Sequence, residues 1–345
     1  MMNLNPFKIV LSICFIVALN TLVGGQNIKL DKELGAQNAQ MVESQMGIYP
    51  HKEMNAYVEA IGQRLVAELD DPMFDYQFQI VDDPIPNAFA LPGGYVYVTR
   101  GILSLITTED ELACVMAHEI IHVTRRHSIK QLRNSILPRM LELPGKIIGN
   151  VVNEDLGNLL TAPVETSNNL LLASYSRGHE TESDQLGVEL ASKAGYDPNA
   201  MKGILDRLSG AIEILTQKEE EKSYFDDHPF TPDRLSNITK TTSKLNWSSS
   251  DKIASDFPQP INGLVFGENP SKGIFHENIF LHPELNFAIT FPKGWDTENQ
   301  PTSVNAMHQD RIAGIFVGLD NSKGTPESLG QKFVEKIAKE YKLKF

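Results

Sequence analysis

Residues 117–123 read AHEIIHV, and the reading of this stretch decides the fold. His118 and His122 are four positions apart. On an α-helix that spacing puts both imidazoles on one face, where they can be offered to a single ion. Glu119 lies one step round, placed to accept a proton from a water rather than to bind the ion itself. The plain alternative is a pair of core histidines bonded to backbone groups. The flanking residues bear on the choice. Thr108 followed by Glu111 is a capping box, so a helix is expected over 108–126. Ala113, Met116, Ala117, Ile120 and Ile121 form one broad apolar face, widened by Leu112, Val115 and Val123. Thr124, Arg125 and Arg126 then turn the chain polar. A helix this apolar belongs in an interior, where the charge of Glu119 is costly unless something compensates it.

A third ligand is sought in SYSRGHETESDQLG, residues 174–187. Glu180 and Asp184 are again four apart and share a helical face. A carboxylate added to two histidines leaves a fourth position open, the arrangement of a catalytic zinc site. Asp184, one turn on, could hydrogen-bond a histidine ligand and fix its tautomer. Glu182 points away from that face and is expected in solvent. Without the histidines, an ordinary acidic helix surface would explain these residues equally well.

Four segments, NAFALPGGYVYVTRGIL, AHEIIHVTRRHS, SRGHETESDQLG and HPFTPDRL, occur in the order and spacing of the M-48 peptidases. The chain resembles this gluzincin family, which includes HtpX-type proteases, CAAX prenyl proteases and their exported relatives without membrane helices. The likeness covers about residues 33–240 and is nearest the exported branch. It implies a zincin-type metalloprotease domain with one Zn2+ held by His118, His122 and Glu180. It also implies Glu119 as general base and Asp184 as a proton donor. Ser183 departs from the alanine usual in the family, and its small side chain should leave the helix undisturbed.

The implied chemistry is metal-assisted amide hydrolysis, in which zinc acidifies water and polarises the carbonyl while Glu119 moves the proton. The tetrahedral oxyanion needs a further donor. His228, in the loop that the resemblance brings near the site, is the candidate. It could instead take the fourth zinc position and hold the enzyme inactive, or have no part. Asn87, Ala88 and Phe89 suit an edge strand that takes substrate as an added strand, although a plain core strand explains them too. His127, judged from its angle on a continuous helix, is no ligand. His179 is expected as a neighbour of the site, and Cys114 as a core thiol.

The rest of the chain sets the frame. A length of 345 residues has room for two domains. A net charge of −13 argues against a nucleic-acid partner. Lys8 precedes an apolar run from Ile9 to Leu19, too short for a span of roughly 20 residues, so residues 1–25 are expected to be a secretory signal. Ile13 before Cys14 is too bulky for lipidation, and once the signal is removed Cys114 has no partner for a disulfide. Export to a periplasm or envelope follows.

A helix carrying Tyr57, Ile61, Leu65 and Leu69 precedes a strand carrying Tyr76, Phe78 and Ile80 and a Pro92–Gly94 turn. Helical patches are expected over 140–175 and a helix over 170–194. The fold class is therefore α+β: a mainly helical domain with a small sheet over 26–245, a linker over 246–264, and a small strand-rich α+β unit over 265–345 that could be cut short. Its substrates would be proteins or peptides, with peripheral contact to a membrane or to envelope assembly machinery conceivable. A rival function is a non-hydrolytic assembly factor or chaperone that uses the same cleft. Oligomeric state is left open.

Overall fold

The computed structural model describes residues 28–132, 175–215, 224, 228, 229, 231–248, 255, 257, 259–300, 303–318 and 323–340. The expected signal, the helical patches over 140–174 and part of the expected linker lie outside these. The chain is α+β, as the sequence indicates, and divides into two compact units that part between Asn269 and Pro270.

The first unit is mainly helical. Helices α1 (Ile28–Gln45) and α2 (Lys52–Val66) lead into strands β1 (Gln77–Val81), β2 (Ala88–Leu91) and β3 (Tyr95–Thr99). α2 is amphipathic and buries Met54, Val58, Ile61 and Leu65 at helical spacing. β3 is the central strand, parallel to β1 and antiparallel to β2. The β2–β3 turn needs Gly93 and Gly94, both at positive φ, and a Cβ on Gly94 would come 2.9 Å from the Asp75 carbonyl oxygen. The edge of β1 is closed by α2, because Glu59 and Asn55 accept from the backbone N–H groups of Phe78 and Ile80, each at 2.9 Å.

After a short helix α3 (Arg100–Leu103) comes α4 (Glu109–Thr124), then α5 (Arg177–Lys193), α6 (Ala200–Leu215) and α7 (Pro232–Thr242). Residues 259–269 stay with this unit: Leu264 packs on its core, and the buried Arg100 side chain binds the carbonyls of Val265 and Gly267. Arg100 is itself paired with Asp82 at 2.8 Å, so its charge is compensated inside the core.

The second unit holds two antiparallel three-stranded sheets. One is β4 (Ile274–His276), β5 (Ile279–His282) and β6 (Phe287–Thr290). The other is β7 (Asp296–Gln300), β8 (Ser303–Met307) and β9 (Gly314–Gly318), with helix α8 (Pro326–Glu340) after it. Phe280, Phe291, Val304 and Ala306 form its core.

Candidate metal centre

α4 is pinned at its first turn. The Thr108 hydroxyl accepts from the Glu111 N–H at 3.3 Å, and the Glu111 carboxylate reaches back to the Thr107 N–H at 2.8 Å. The cap thus spans Thr107 and Thr108, one residue wider than a simple capping box. Glu109 accepts from the Tyr57 hydroxyl and Asp110 from the Asp197 N–H, so the acidic first turn can be buried. Every residue from Glu109 to Val123 is buried.

α5 starts later than the sequence suggested. Ser176, not a residue near 170, is its N-cap, and its hydroxyl accepts from the His179 N–H. Residues 180, 183, 184, 187, 188 and 191 form its buried stripe. This stripe lies along α4, and Gly187 sets the separation: a Cβ there would stand 3.0 Å from the backbone nitrogen of His118. The close approach delivers Glu180 and Asp184 to the two histidines.

The donors converge. His118 Nε2 is 3.0 Å from His122 Nε2, and Glu180 lies 3.5 Å from the first and 3.3 Å from the second. His228 Nδ1 is 3.3 Å from both His118 Nε2 and Glu180 Oε1. One donor atom from each of these four buried residues falls within 4.8 Å of the others. Nε2–Nε2 separation in a tetrahedral shell of about 2 Å radius is close to this, about 3.3 Å. The other ring nitrogen of His118, Nδ1, is 3.0 Å from Asp184 Oδ1. A proton placed there leaves the Nε2 lone pair facing the other donors, which suits a cation among them. Two imidazoles and a carboxylate are a donor set that fits zinc.

Arg234 stabilises the acidic side. From α7 it grips Asp184 with two hydrogen bonds, at 2.8 and 2.7 Å. It also contacts Glu180 at 2.9 Å and donates to the His228 carbonyl at 3.1 Å. The titration behaviour follows from these contacts. Burial disfavours charge on Asp184, but Arg234 and His118 outweigh it and hold the carboxyl below its ordinary range. Glu180 is held well below its range in the same way, by His228, His118 and His122 against burial. His118 is raised, because Asp184 and Glu180 overcome its burial. His228 is raised by Glu119 and Glu180, again against burial. Burial pushes His122 well down.

The predicted site residues therefore meet in one place: His118, His122, Glu180, Asp184 and His228 together, with Glu119 buried beside them and its Oε1 3.5 Å from His228 Nε2. β2, which carries Ala88 and Phe89, packs on α4. Cys114 is a buried thiol whose pKa burial drives upward, and its sulfur points at the Asp197 carbonyl.

Among the described neighbours that the sequence reading missed or misjudged, which include Tyr175 against His122 and Tyr224 against His228, two are instructive. Arg234 left a trace, since it lies four residues before the buried Ile238 on the inner face of α7; an arginine there asks for carboxylates. His127 left a misleading one. Its position was judged on a continuous helix, but α4 stops at Thr124 and Arg126 takes a positive φ of 55°. The chain thereby turns His127 back to put Nδ1 3.2 Å from His122 Nδ1. Glu182, expected in solvent, is only partly there and contacts both His127 and Arg125. His179 is the expected neighbour, its ring stacked on His127 at 4.2 Å.

The sequence profile of peptidase family M48 matches residues 52–242, more than half of the chain. The chain belongs to peptidase family M48. Relatives within reach of this M48 chain include the mitochondrial metalloendopeptidase OMA1 of Schizosaccharomyces pombe, 31% identical over 53% of the chain and 51% of that protein. The beta-barrel assembly-enhancing protease of Yersinia pestis is 27% identical over 64% of the chain and 46% of that protein. The protein of the same name in Escherichia coli K12 is 26% identical over 56% and 39%. The chain thus spans about half the length of the curated relatives it matches, or less. No described helix of this M48 chain is long and apolar enough to cross a membrane.

Proposed function

We propose that this chain is a zinc-dependent endopeptidase acting on proteins of the cell envelope or on misfolded proteins after export. The observation that carries the reading is Glu119, a carboxylate buried beside four converging donor atoms. A carboxylate is kept in such a place at a cost of several kcal/mol, of order, and the position suits a general base. His118, His122 and Glu180 would hold the metal, which when bound acidifies water and polarises a carbonyl.

Glu119 takes the proton of the attacking water and returns it to the leaving amine. Asp184 is better suited to positioning than to proton donation, because both its oxygens are engaged by Arg234 and one also faces His118. His228 sits among the donors and against Glu119. We therefore assign it the fourth donor place at rest, which it leaves when substrate enters. We assign the substrate backbone to β2, near Asn87, Ala88 and Phe89, since the Phe78 and Ile80 N–H groups on the other edge, β1, are taken by α2. The names of the bacterial relatives support an envelope setting.

The test is Glu119→Gln. The variant should retain zinc as the wild type does and lose cleavage of an unfolded protein substrate by at least about 100-fold. Undiminished cleavage would overturn the assignment. Zinc binding without cleavage by the wild type would point to the client-binding function instead.

A further inference from the structure

The two histidines of the HExxH motif are supported differently. His118 meets its carboxylate directly, Nδ1 to Asp184 at 3.0 Å. Among the described residues His122 meets none at that position. Its Nε2 faces the other donors, and its Nδ1 faces another imidazole, Nδ1 of His127, at 3.2 Å. The far nitrogen of His127, Nε2, is 3.2 Å from Glu182 Oε2. The second oxygen of Glu182 is 3.0 Å from Nε of Arg125. His127 is fully buried, stacked on His179 with the planes 10° apart and edge-on to His122 at 82°.

Hydrogen-bond inventory fixes the protons along this row. A histidine that offers its Nε2 lone pair to a cation carries its proton on Nδ1. That N–H of His122 needs an acceptor, so His127 Nδ1 must be bare. A neutral imidazole with a bare Nδ1 has its proton on Nε2, where Glu182 accepts it. Arg125 then donates to the remaining Glu182 oxygen. Every donor in the row from His122 through His127 to Glu182 meets an acceptor in this one arrangement. Reversing any tautomer sets two lone pairs or two protons against each other. The Ser183 hydroxyl, 3.4 Å from the same His127 nitrogen, can only share that one lone pair as a weaker donor, and Glu182 at Nε2 still sets the direction.

We propose that His127, backed by Glu182, is the positioning residue of His122, fixing its tautomer and ring plane through an imidazole relay where His118 uses a carboxylate directly. The inference rests on the zinc reading above. The relay puts its negative charge one ring further from the ligand and partly in solvent, whereas Asp184 is buried. His122 is therefore the more weakly supported of the two ligands.

The test is zinc affinity, measured on the full chain by competition with a chromophoric chelator, together with the thermal midpoint of the metal-free protein. His127→Phe keeps the buried ring and deletes the acceptor; it should weaken zinc binding about 10–100-fold with the metal-free midpoint little changed. His127→Asn returns an acceptor near the Nδ1 position and should restore most of that affinity. In zinc-loaded wild type, nitrogen-15 labelling should show scalar coupling between the two Nδ1 atoms across their hydrogen bond. Wild-type affinity in His127→Phe, or a loss that His127→Asn does not repair, overturns the relay. Should His127→Phe fail to fold, Glu182→Leu carries the same test: a weakened zinc affinity supports the relay and an unchanged one overturns it. A wild type that takes up no zinc would overturn the zinc reading itself, and this inference with it.

Discussion

Helix α4 is buried without a break from Glu109 to Val123, charged groups included, whereas the sheet β7–β8–β9 buries one face and leaves Phe316 exposed. The two regions hold together by different means. The second unit closes over Phe280, Phe291, Val304 and Ala306, an apolar core that needs only burial. Around α4, carboxylates and imidazoles sit at full burial, and each buried charge depends on a specific partner. An interior built in this second way tolerates little change, and its polar members are where function is to be sought.

The sharpest way to break the contrast is Arg234→Met. It removes the counter-charge of Asp184 and Glu180 together, and breaking a buried pair costs about 3–5 kcal/mol. For a unit of this size that is a fall of about 10 °C in thermal midpoint, measurable by calorimetry on metal-free protein. A midpoint near wild type would show that the carboxylates do not depend on it. Gly187→Ala is next. The added methyl meets the backbone of α4 at His118, so overpacking of about 1–3 kcal/mol is expected. Because α5 must then move from α4, zinc affinity should fall with stability. Stability lost with zinc affinity intact would mean that the helix spacing does not govern the site. Least of all, Phe316→Ser on the exposed face should change stability by no more than about 0.5 kcal/mol and leave zinc binding as it is. A large effect there would show that the second unit is not the simple apolar structure described.

The same contrast governs what could be read from the sequence. The i, i+4 pairs His118/His122 and Glu180/Asp184 were legible because a helix converts spacing into a shared face. The cap at Thr108 was legible because side-chain capping is local. His127 is not among the converging donors, as expected, but its approach to His122 was missed because one positive-φ residue, Arg126, broke the helix on which its direction was reckoned. The part played by Gly187 depends on a neighbour 69 positions earlier, His118, which no local pattern reports. In the second unit the strand-rich character was legible from the apolar segments that hold β4, β5, β6 and β9. β7, with the sequence Asp-Thr-Glu-Asn-Gln, was not, because its pairing with β8 rather than its side chains defines it as a strand.

The central claim is that His118, His122 and Glu180 hold one zinc ion. Metal content of the purified full chain by mass spectrometry tests it most directly, comparing wild type with a His118→Ala, His122→Ala double variant. The account predicts one zinc per wild-type chain and essentially none in the double variant. A wild type that binds no zinc even when it is supplied, or a double variant that keeps its zinc, would contradict it.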